Sequence, residues 1–403
     1  MVMVNPNILK WARETAGYSI EAAVKALAIK DLRDTSALER LEQLEAGKQQ
    51  PTRPLLLKMA KKYRRPLLAF YLAEPPKTGD RGEDFRTLPR DYEEKDDSLL
   101  NTLLRDVIAR HGLISSALID EAETHILKYV ASHKVTDSPK AISKSIKKYF
   151  DINLDLFREQ KTPEAAFKYL RDQIEKAGVF VLLIGDLGSH HTKIEVKTFR
   201  GYSIADSIAP FIVINDNDSH RAWSFTLLHE LTHIMLGQTG VSNAFSSIQV
   251  EKLCNRTAGD ILLPTAELSA FGITQDSTYE DLIKAITNYA NSTNVSSTMV
   301  AYKLYLENII EQDVWIQLTE TYHDLWVQNQ LSRTLKNREK EGGPSYYTIK
   351  YHRVGSALID VINRFLYSGA ITTTKAGKVL GVKPTNVHKL ISSADTVQTP
   401  HLN

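Results

Sequence analysis

Two histidines stand four residues apart in the segment His229-Glu230-Leu231-Thr232-His233. An apolar run with helical character surrounds this segment. Side chains four residues apart lie on one face of a helix, so both imidazoles can reach one metal ion. Neutral histidines at this spacing suit Zn²⁺, and the intervening Glu230 is placed to take a proton from water on the metal. The segment therefore predicts one half of a zinc site that could hydrolyse a peptide bond.

A third ligand would complete such a site, and Glu251 is the candidate that we favour. It lies on a second stretch of helical character, which ends at Pro264 because proline cannot continue a helix. A carboxylate beside two histidines leaves one tetrahedral position open, as catalytic zinc requires. The competing candidates are Asp260, Glu267, His220, His190 and His191.

The sequence around these residues resembles the ImmA/IrrE family of metallopeptidases. The stretches that carry the resemblance are Gly201-Tyr202, Pro210-Phe211-Ile212-Val213-Ile214-Asn215, Phe225-Thr226-Leu227-Leu228-His229-Glu230-Leu231-Thr232-His233 and residues 251–264. The resemblance implies that His229, His233 and Glu251 are zinc ligands. It also implies that Glu230 is the general base.

The sequence departs from the family pattern at three positions of the second stretch. Cys254 replaces an alanine, Thr257 a phenylalanine and Leu263 a methionine. None of these changes removes a ligand or the base. Cys254 follows Glu251 by about one helical turn and could approach the metal, but we expect a small buried side chain that fills the position of the alanine.

Composition and charge narrow the class of protein. The 403 residues carry a formal net charge of +2, which argues neither for nor against nucleic-acid binding, and a single cysteine excludes a disulfide framework. No apolar stretch reaches the ~18 residues of a membrane span, and the N-terminal residues do not resemble a signal peptide. We therefore expect a cytoplasmic protein that has no membrane partner.

Residues 1–74 have the apolar spacing of successive amphipathic helices, with Ser19 and Thr52 as candidate N-caps. This segment resembles the helix-turn-helix unit of Cro/CI-type regulators, which is fused to many members of the same peptidase family. The residues that carry the resemblance are Leu9, Ala12-Arg13-Glu14, Gly17-Tyr18-Ser19, Glu21-Ala22-Ala23, Leu44-Glu45-Ala46-Gly47 and Pro51-Thr52. The resemblance implies a Cro/CI-like domain over residues 1–74.

DNA binding by residues 1–74 is a separate question, and the distribution of charge argues against it. The segment is basic as a whole, which would favour phosphate. The expected recognition segment is acidic, however, because Asp31, Asp34, Glu39, Glu42 and Glu45 outnumber Arg33 and Arg40. We favour a domain that docks on a protein such as a repressor of similar fold, and keep direct DNA binding as the alternative.

Composition and apolar spacing in the rest of the chain predict a linker, a core domain and a helical C-terminal domain. Residues 75–98 have the prolines and charges of a linker, residues 99–338 form the predicted zincin-like metallopeptidase domain, and residues 346–403 form the C-terminal domain. Predicted core helices span 99–133, 141–150, 163–177, 279–290, 296–308 and 311–338, and predicted strands span 178–184, 194–198, 202–206 and 211–215. The predicted fold class is α+β, mostly helical, with a small sheet beside the active-site helix.

Two functions from different classes fit these patterns. The first is a zinc-dependent endopeptidase that cleaves a DNA-binding repressor or an antitoxin-like regulator, as the resemblance implies. The second is a DNA-binding transcriptional regulator that uses the peptidase fold as a sensor or partner-binding scaffold. The complete set His229, Glu230, His233 and Glu251 favours the first, because a scaffold without turnover has no chemical need for all four. A third function, a toxin component that needs an antitoxin partner, is not separated from the first by the sequence.

Overall fold

A computed structural model shows a mostly helical α+β protein. The structure describes residues 4–75, 94–241, 248–271, 277–338, 343 and 345–398. The chain divides into two compact units: residues 1–108 together with 186–198, and residues 109–185 together with 199–403. Each unit has its own hydrophobic core.

The first unit is built from short helices whose ends follow from local sequence. Its helices are α1 (Pro6–Glu14), α2 (Ile20–Leu27), α3 (Ala37–Glu45), α4 (Arg53–Lys62) and the first half of α5 (Glu94–Asp120), with a 3-10 helix at Leu67–Tyr71. Ser19 caps α2 by accepting a hydrogen bond from the Ala22 amide, as predicted, and Ser36 and Glu39 form a capping box on α3. Thr52 precedes α4 but makes no side-chain cap bond.

A buried ion pair joins α1 to the end of α3. Arg13 donates from Nε to Glu45 Oε1 at 2.7 Å and from Nη2 to Oε2 at 2.9 Å, and both side chains are 7 % exposed. The hydrogen bond to Glu45 raises the pKa of Arg13 despite the opposing effect of burial. Glu45 is therefore a structural residue, whereas Asp34, Glu39 and Glu42 are exposed.

The second unit contains the predicted core and the C-terminal helices. Its helices are the second half of α5, α6 (Pro139–Tyr149), α7 (Leu154–Arg158), α8 (Pro163–Lys176), α9 (His220–Met235), α10 (Ile248–Leu262), α11 (Tyr279–Thr293), α12 (Ser297–Leu306), α13 (Gln312–Arg338), α14 (Tyr346–Val354), α15 (Ser356–Ser368), α16 (Thr373–Leu380) and α17 (Val387–Gln398). No helix in the described parts of the chain has the length and apolar character that crossing a membrane requires.

A small mixed sheet lies in the second unit. Its strands are β1 (Phe180–Leu183), β2 (Gly201–Ile204), β3 (Phe211–Ile214) and β4 (Gly240–Val241), and their order among the described residues is β1-β3-β2-β4. β1 and β3 are parallel, whereas β2 is antiparallel to both β3 and β4. β1, β2 and β3 are buried at every position, which is typical of strands covered on both faces.

Two expectations about secondary structure are wrong. Residues 194–198 do not form a strand; they contain a turn in which the Thr198 amide bonds to the Glu195 carbonyl at 3.0 Å. The helix predicted for 99–133 ends at Asp120, because Ala122 takes a left-handed conformation with φ 55°. Of the predicted linker, residues 76–93 lie outside the described residues, and its last residues begin α5.

Helix α9 runs through the middle of the second unit. Twelve of its residues between Trp223 and Met235 are buried, as expected of a helix surrounded by other elements, and six of the twelve are polar or ionisable. It packs against α8, α10, β2 and β3. It ends at Met235, and Gly237 follows with φ 71°; Gly237 N bonds to Ile234 O and Gln238 N bonds to His233 O, the two bonds of a Schellman cap.

The C-terminal helices dock on α8 through a second buried ion pair. Arg171 and Glu175 bond at 2.8 Å, with side chains 6 % and 4 % exposed. Arg171 also donates to the carbonyls of Val181 on β1 and His352 on α14. Glu175 accepts from Ser356 Oγ at 2.8 Å at the start of α15. The pair therefore ties α8, β1, α14 and α15 together.

Gly237→Ala is expected to destabilise the protein. A side chain at φ 71° is strained, and its Cβ would lie 2.8 Å from the Ala131 Cβ, so the free energy of unfolding should fall by about 1–2 kcal/mol. Gly112→Ala is the matched control, because Gly112 is exposed on α5 with open space around it; there a gain of about 0.4–1 kcal/mol is expected. Urea denaturation followed by circular dichroism measures both. Equal effects of the two substitutions would contradict the role of the cap.

Candidate metal centre

Helix α9 places two imidazoles side by side. The Nε2 atoms of His229 and His233 lie 3.1 Å apart, and both residues are 5 % exposed. The spacing of four residues brings both rings to one face of the helix. Glu230 follows His229 directly and is fully buried. The pentapeptide thus presents two metal-binding nitrogens and a carboxylate inside the protein.

Helix α10 brings the carboxylate of Glu251 to the same two nitrogens. Glu251 Oε2 lies 3.2 Å from His229 Nε2, and Oε1 lies 3.4 Å from His233 Nε2. Ligand atoms that surround zinc tetrahedrally at 2.0–2.1 Å are separated by about 3.3 Å. The two nitrogens, and each nitrogen with the carboxylate oxygen nearest to it, therefore have the spacing of ligand atoms around one metal ion.

The sulfur of Cys254 belongs to the same group of atoms. Ligand atoms of His229, His233 and Cys254 all lie within 4.8 Å of one another, and all three residues are buried. The expectation that Cys254 is a small buried residue agrees with its zero exposure. Its position one turn after Glu251 on α10 also brings its thiol to the two histidines. Cys254 is thus a further candidate ligand.

The ionisation of the group reflects burial and mutual contact. Burial alone would raise the pKa of Glu251, but hydrogen bonds from His229 and His233 outweigh it and hold that pKa well below its usual range. Burial would lower the pKa of His233, yet hydrogen bonds with Cys254 and Glu251 raise it well above its ordinary value. Burial raises the pKa of the Cys254 thiol. These contacts therefore favour an ionised Glu251 carboxylate beside a positively charged His233 imidazole.

Gln238 orients one of the imidazoles and was not identified from the sequence. His233 donates from Nδ1 to Gln238 Oε1 at 3.2 Å, which directs the Nε2 lone pair toward Glu251 when that nitrogen is unprotonated. The Schellman cap at Gly237 turns the chain back so that Gln238 reaches the helix it follows. Gly237 was the signal in the sequence, because a glycine just after a helix turns the chain back and brings the next residue, here Gln238, near the last turn.

Gly201 of β2 lies directly against the carboxylate of Glu230. A Cβ added at Gly201 would be 2.6 Å from Glu230 Cδ and 2.8 Å from its Cγ, far inside van der Waals contact. Gly201-Tyr202 is one of the stretches that resemble the ImmA/IrrE family, but the resemblance implies no role for Gly201. A glycine within a strand often marks a close approach of another group, and here that group is the side chain of Glu230.

Two of the competing acidic candidates are engaged in other contacts. Asp260 forms an ion pair with the buried Lys303. Glu267 accepts from Arg158 Nη2 at 2.9 Å and from the Tyr289 hydroxyl at 2.8 Å. Asp260 thus links α10 to α12, and Glu267, in the 3-10 helix Thr265–Phe271, is bonded to α7 and α11.

The competing histidines are also placed elsewhere. His220, at the start of α9, contacts Glu164 of α8. His191 is exposed in the 3-10 helix His190–Thr192, which belongs to the first unit. The side chain of His190 lies outside the described residues.

Gly201→Ala should destabilise the protein through its collision with Glu230. Overpacking at a buried position costs about 1–3 kcal/mol. Gly259→Ala is the control, since its Cβ would meet only Lys303 Cδ, at 3.9 Å. A double-mutant cycle in urea identifies the cause: Gly201→Ala should cost less in a Glu230→Ala background than in the wild type. An unchanged cost in that background would locate the strain elsewhere.

Comparison with protein families identifies the central part of the chain. Residues 182–305 match the family model described as IrrE N-terminal-like domain, Peptidase_M78. No curated protein and no solved structure matches the chain. The matched segment begins within β1 and ends within α12, and residues 1–74 lie outside it, so their helix-turn-helix identity stays a prediction. Residues 182–305 are thus similar to the IrrE N-terminal-like domain of a metallopeptidase family, and His229 and His233 form a candidate metal site within them.

Proposed function

We propose that the protein is a zinc-dependent endopeptidase whose metal ligands are His229, His233 and Glu251. The observation that carries the proposal is the approach of the Glu251 carboxylate to both imidazole nitrogens at 3.2 and 3.4 Å. Two nitrogens and one carboxylate oxygen are a donor set that zinc accepts, and three protein ligands leave a fourth position for chemistry.

A zinc ion held by these residues would activate water as a nucleophile and polarise the carbonyl of the peptide bond to be cleaved. Glu230 would accept the proton of the attacking water and transfer it to the nitrogen of the leaving amine. Gly201 restricts where that carboxylate can lie, and Gln238 holds the ring of His233. Burial of Glu230 keeps bulk water away, which strengthens its electrostatic interactions.

The substrate that we propose is a DNA-binding repressor or an antitoxin-like regulator. The resemblance of residues 1–74 to Cro/CI-type domains supports this class, because such domains pair with others of similar fold. Charge supports it too: Asp34, Glu39 and Glu42 are exposed on and before α3. An acidic surface repels phosphate but complements the basic surface of a protein that binds DNA.

Direct DNA binding is the second candidate function. Lys58, Lys61 and Lys62 are exposed on α4, and clustered lysines can contact phosphates. Under this alternative the peptidase fold would serve as a sensor or scaffold. Affinity of the full chain for duplex DNA that falls steeply with salt, together with no cleavage of any regulator, would favour it.

Glu251→Ala should weaken zinc binding. Loss of a direct ligand exceeds the effect of losing a residue that only supports a ligand, so we expect a decrease in zinc affinity of at least about tenfold. Competition with a chromophoric chelator measures the affinity. Lys252→Ala is the matched control, because Lys252 is the exposed neighbour on the same helix and should retain wild-type affinity. A wild-type protein that is folded and binds no zinc would reject the proposed function.

Glu230→Gln should abolish hydrolysis while zinc remains bound, because the amide keeps the shape of the side chain but cannot accept the proton. We expect the rate to fall about 10²–10⁴-fold. The assay incubates the purified chain with purified Cro/CI-like regulators and detects the fragments by mass spectrometry. Equal cleavage by wild type and Glu230→Gln would show that the fragments come from another protease.

A further inference from the structure

Cys254 is the only cysteine of the chain, and it lies in the metal centre. It follows Glu251 on α10 by three residues, so both side chains lie on the same face of that helix. Its residue exposure is zero. A side chain at this position cannot turn toward solvent, and its sulfur lies within 4.8 Å of ligand atoms of both His229 and His233.

We propose that the Cys254 thiolate is a fourth zinc ligand, which closes the site in the resting protein. The inference rests on the proposed function, since it concerns the same metal ion. Thiolate sulfur, imidazole nitrogen and carboxylate oxygen are all zinc ligands, and zinc with four protein ligands is the closed, structural form of such a site. The sulfur would occupy the corner that an attacking water needs.

Ligand exchange at that corner conserves atoms and charge. On closing, the thiol releases its proton to solvent, a zinc–sulfur bond forms and a water molecule leaves. On opening, the sulfur takes a proton, the zinc–sulfur bond breaks and water returns. No oxidant or reductant takes part. The helix backbone need not move, because rotation of the Cys254 side chain about its Cα–Cβ bond is enough to change the position of the sulfur.

The closed form acts as a brake on hydrolysis. Only molecules with the thiol displaced can bind the attacking water, so the observed rate scales with the population of the open form. An open form present at about 10 % would become about tenfold more active when replacement of Cys254 makes it the only form. Cys254 is therefore a regulatory residue, whereas His229, His233, Glu251 and Glu230 supply the chemistry.

X-ray absorption at the zinc edge on the full chain tests the ligand directly. We expect one sulfur scatterer at about 2.3 Å from zinc in the wild type. Because the chain has a single cysteine, a thiolate signal has one source. Cobalt substitution gives an independent readout, since thiolate ligation produces a charge-transfer absorption in the near ultraviolet. Both measurements use the wild-type protein and do not depend on whether a variant folds.

Two variants extend the test to function. Cys254→Ala and Cys254→Ser should both lose the sulfur signal, keep about one zinc per chain through the other three ligands, and cleave the regulator about tenfold faster. Zinc bound in the wild type without sulfur would overturn the inference and leave the proposed peptidase intact. A folded wild type that binds no zinc would overturn both. Sulfur ligation in the wild type with no gain of activity in either variant would overturn the proposal that Cys254 inhibits hydrolysis.

Discussion

The packing of α9 against α10 depends on how the charges of the ionisable side chains buried between these helices are neutralised. Glu230 is fully buried, His229 and His233 are 5 % exposed, and Glu251 lies against both imidazoles. Burying such groups costs several kcal/mol each unless opposite charges compensate. Against the effect of burial, hydrogen bonds with Cys254 and Glu251 raise the pKa of His233 above its ordinary value, which favours a positive charge on that imidazole. A divalent cation would compensate more fully, and its binding would then be coupled to the packing of α9 on α10.

That coupling is useful only if α9 cannot relax away from the charges. α9 is covered by β2 and β3, by α8 and by α10, and its end is fixed at Gly237. α8 is in turn held by the Arg171–Glu175 pair, which reaches β1, α14 and α15. The C-terminal helices thus belong to the framework of the site although they contribute none of its candidate ligands. A site on rigid elements holds its atoms near the geometry that the metal requires.

Local patterns in the sequence were enough to find the pair His229 and His233, because helical periodicity alone places them together. They also located most helices to within a few residues. The errors came at two chain reversals that apolar periodicity does not mark: the helix predicted for 99–133 stops where Ala122 is left-handed, and 194–198 turns where a strand was expected. The role of Gly201 required knowing that β2 lies beside α9, which no local pattern contains. The position of the Cys254 sulfur depends likewise on how α10 packs against α9.

The number of donors available to one metal ion decides what such a site does. Three protein ligands leave zinc reactive, whereas four make it inert. α10 carries Glu251 and Cys254 one turn apart on the same face, while α9 carries both imidazoles and the proposed base. With Cys254 as the fourth ligand, one side-chain rotation changes the donor count and leaves the buried framework unaltered. With an alanine at that position, three protein ligands would remain and the fourth coordination position would stay open to water. The departure of this chain from the family pattern would therefore change the regulation of the reaction rather than its chemistry.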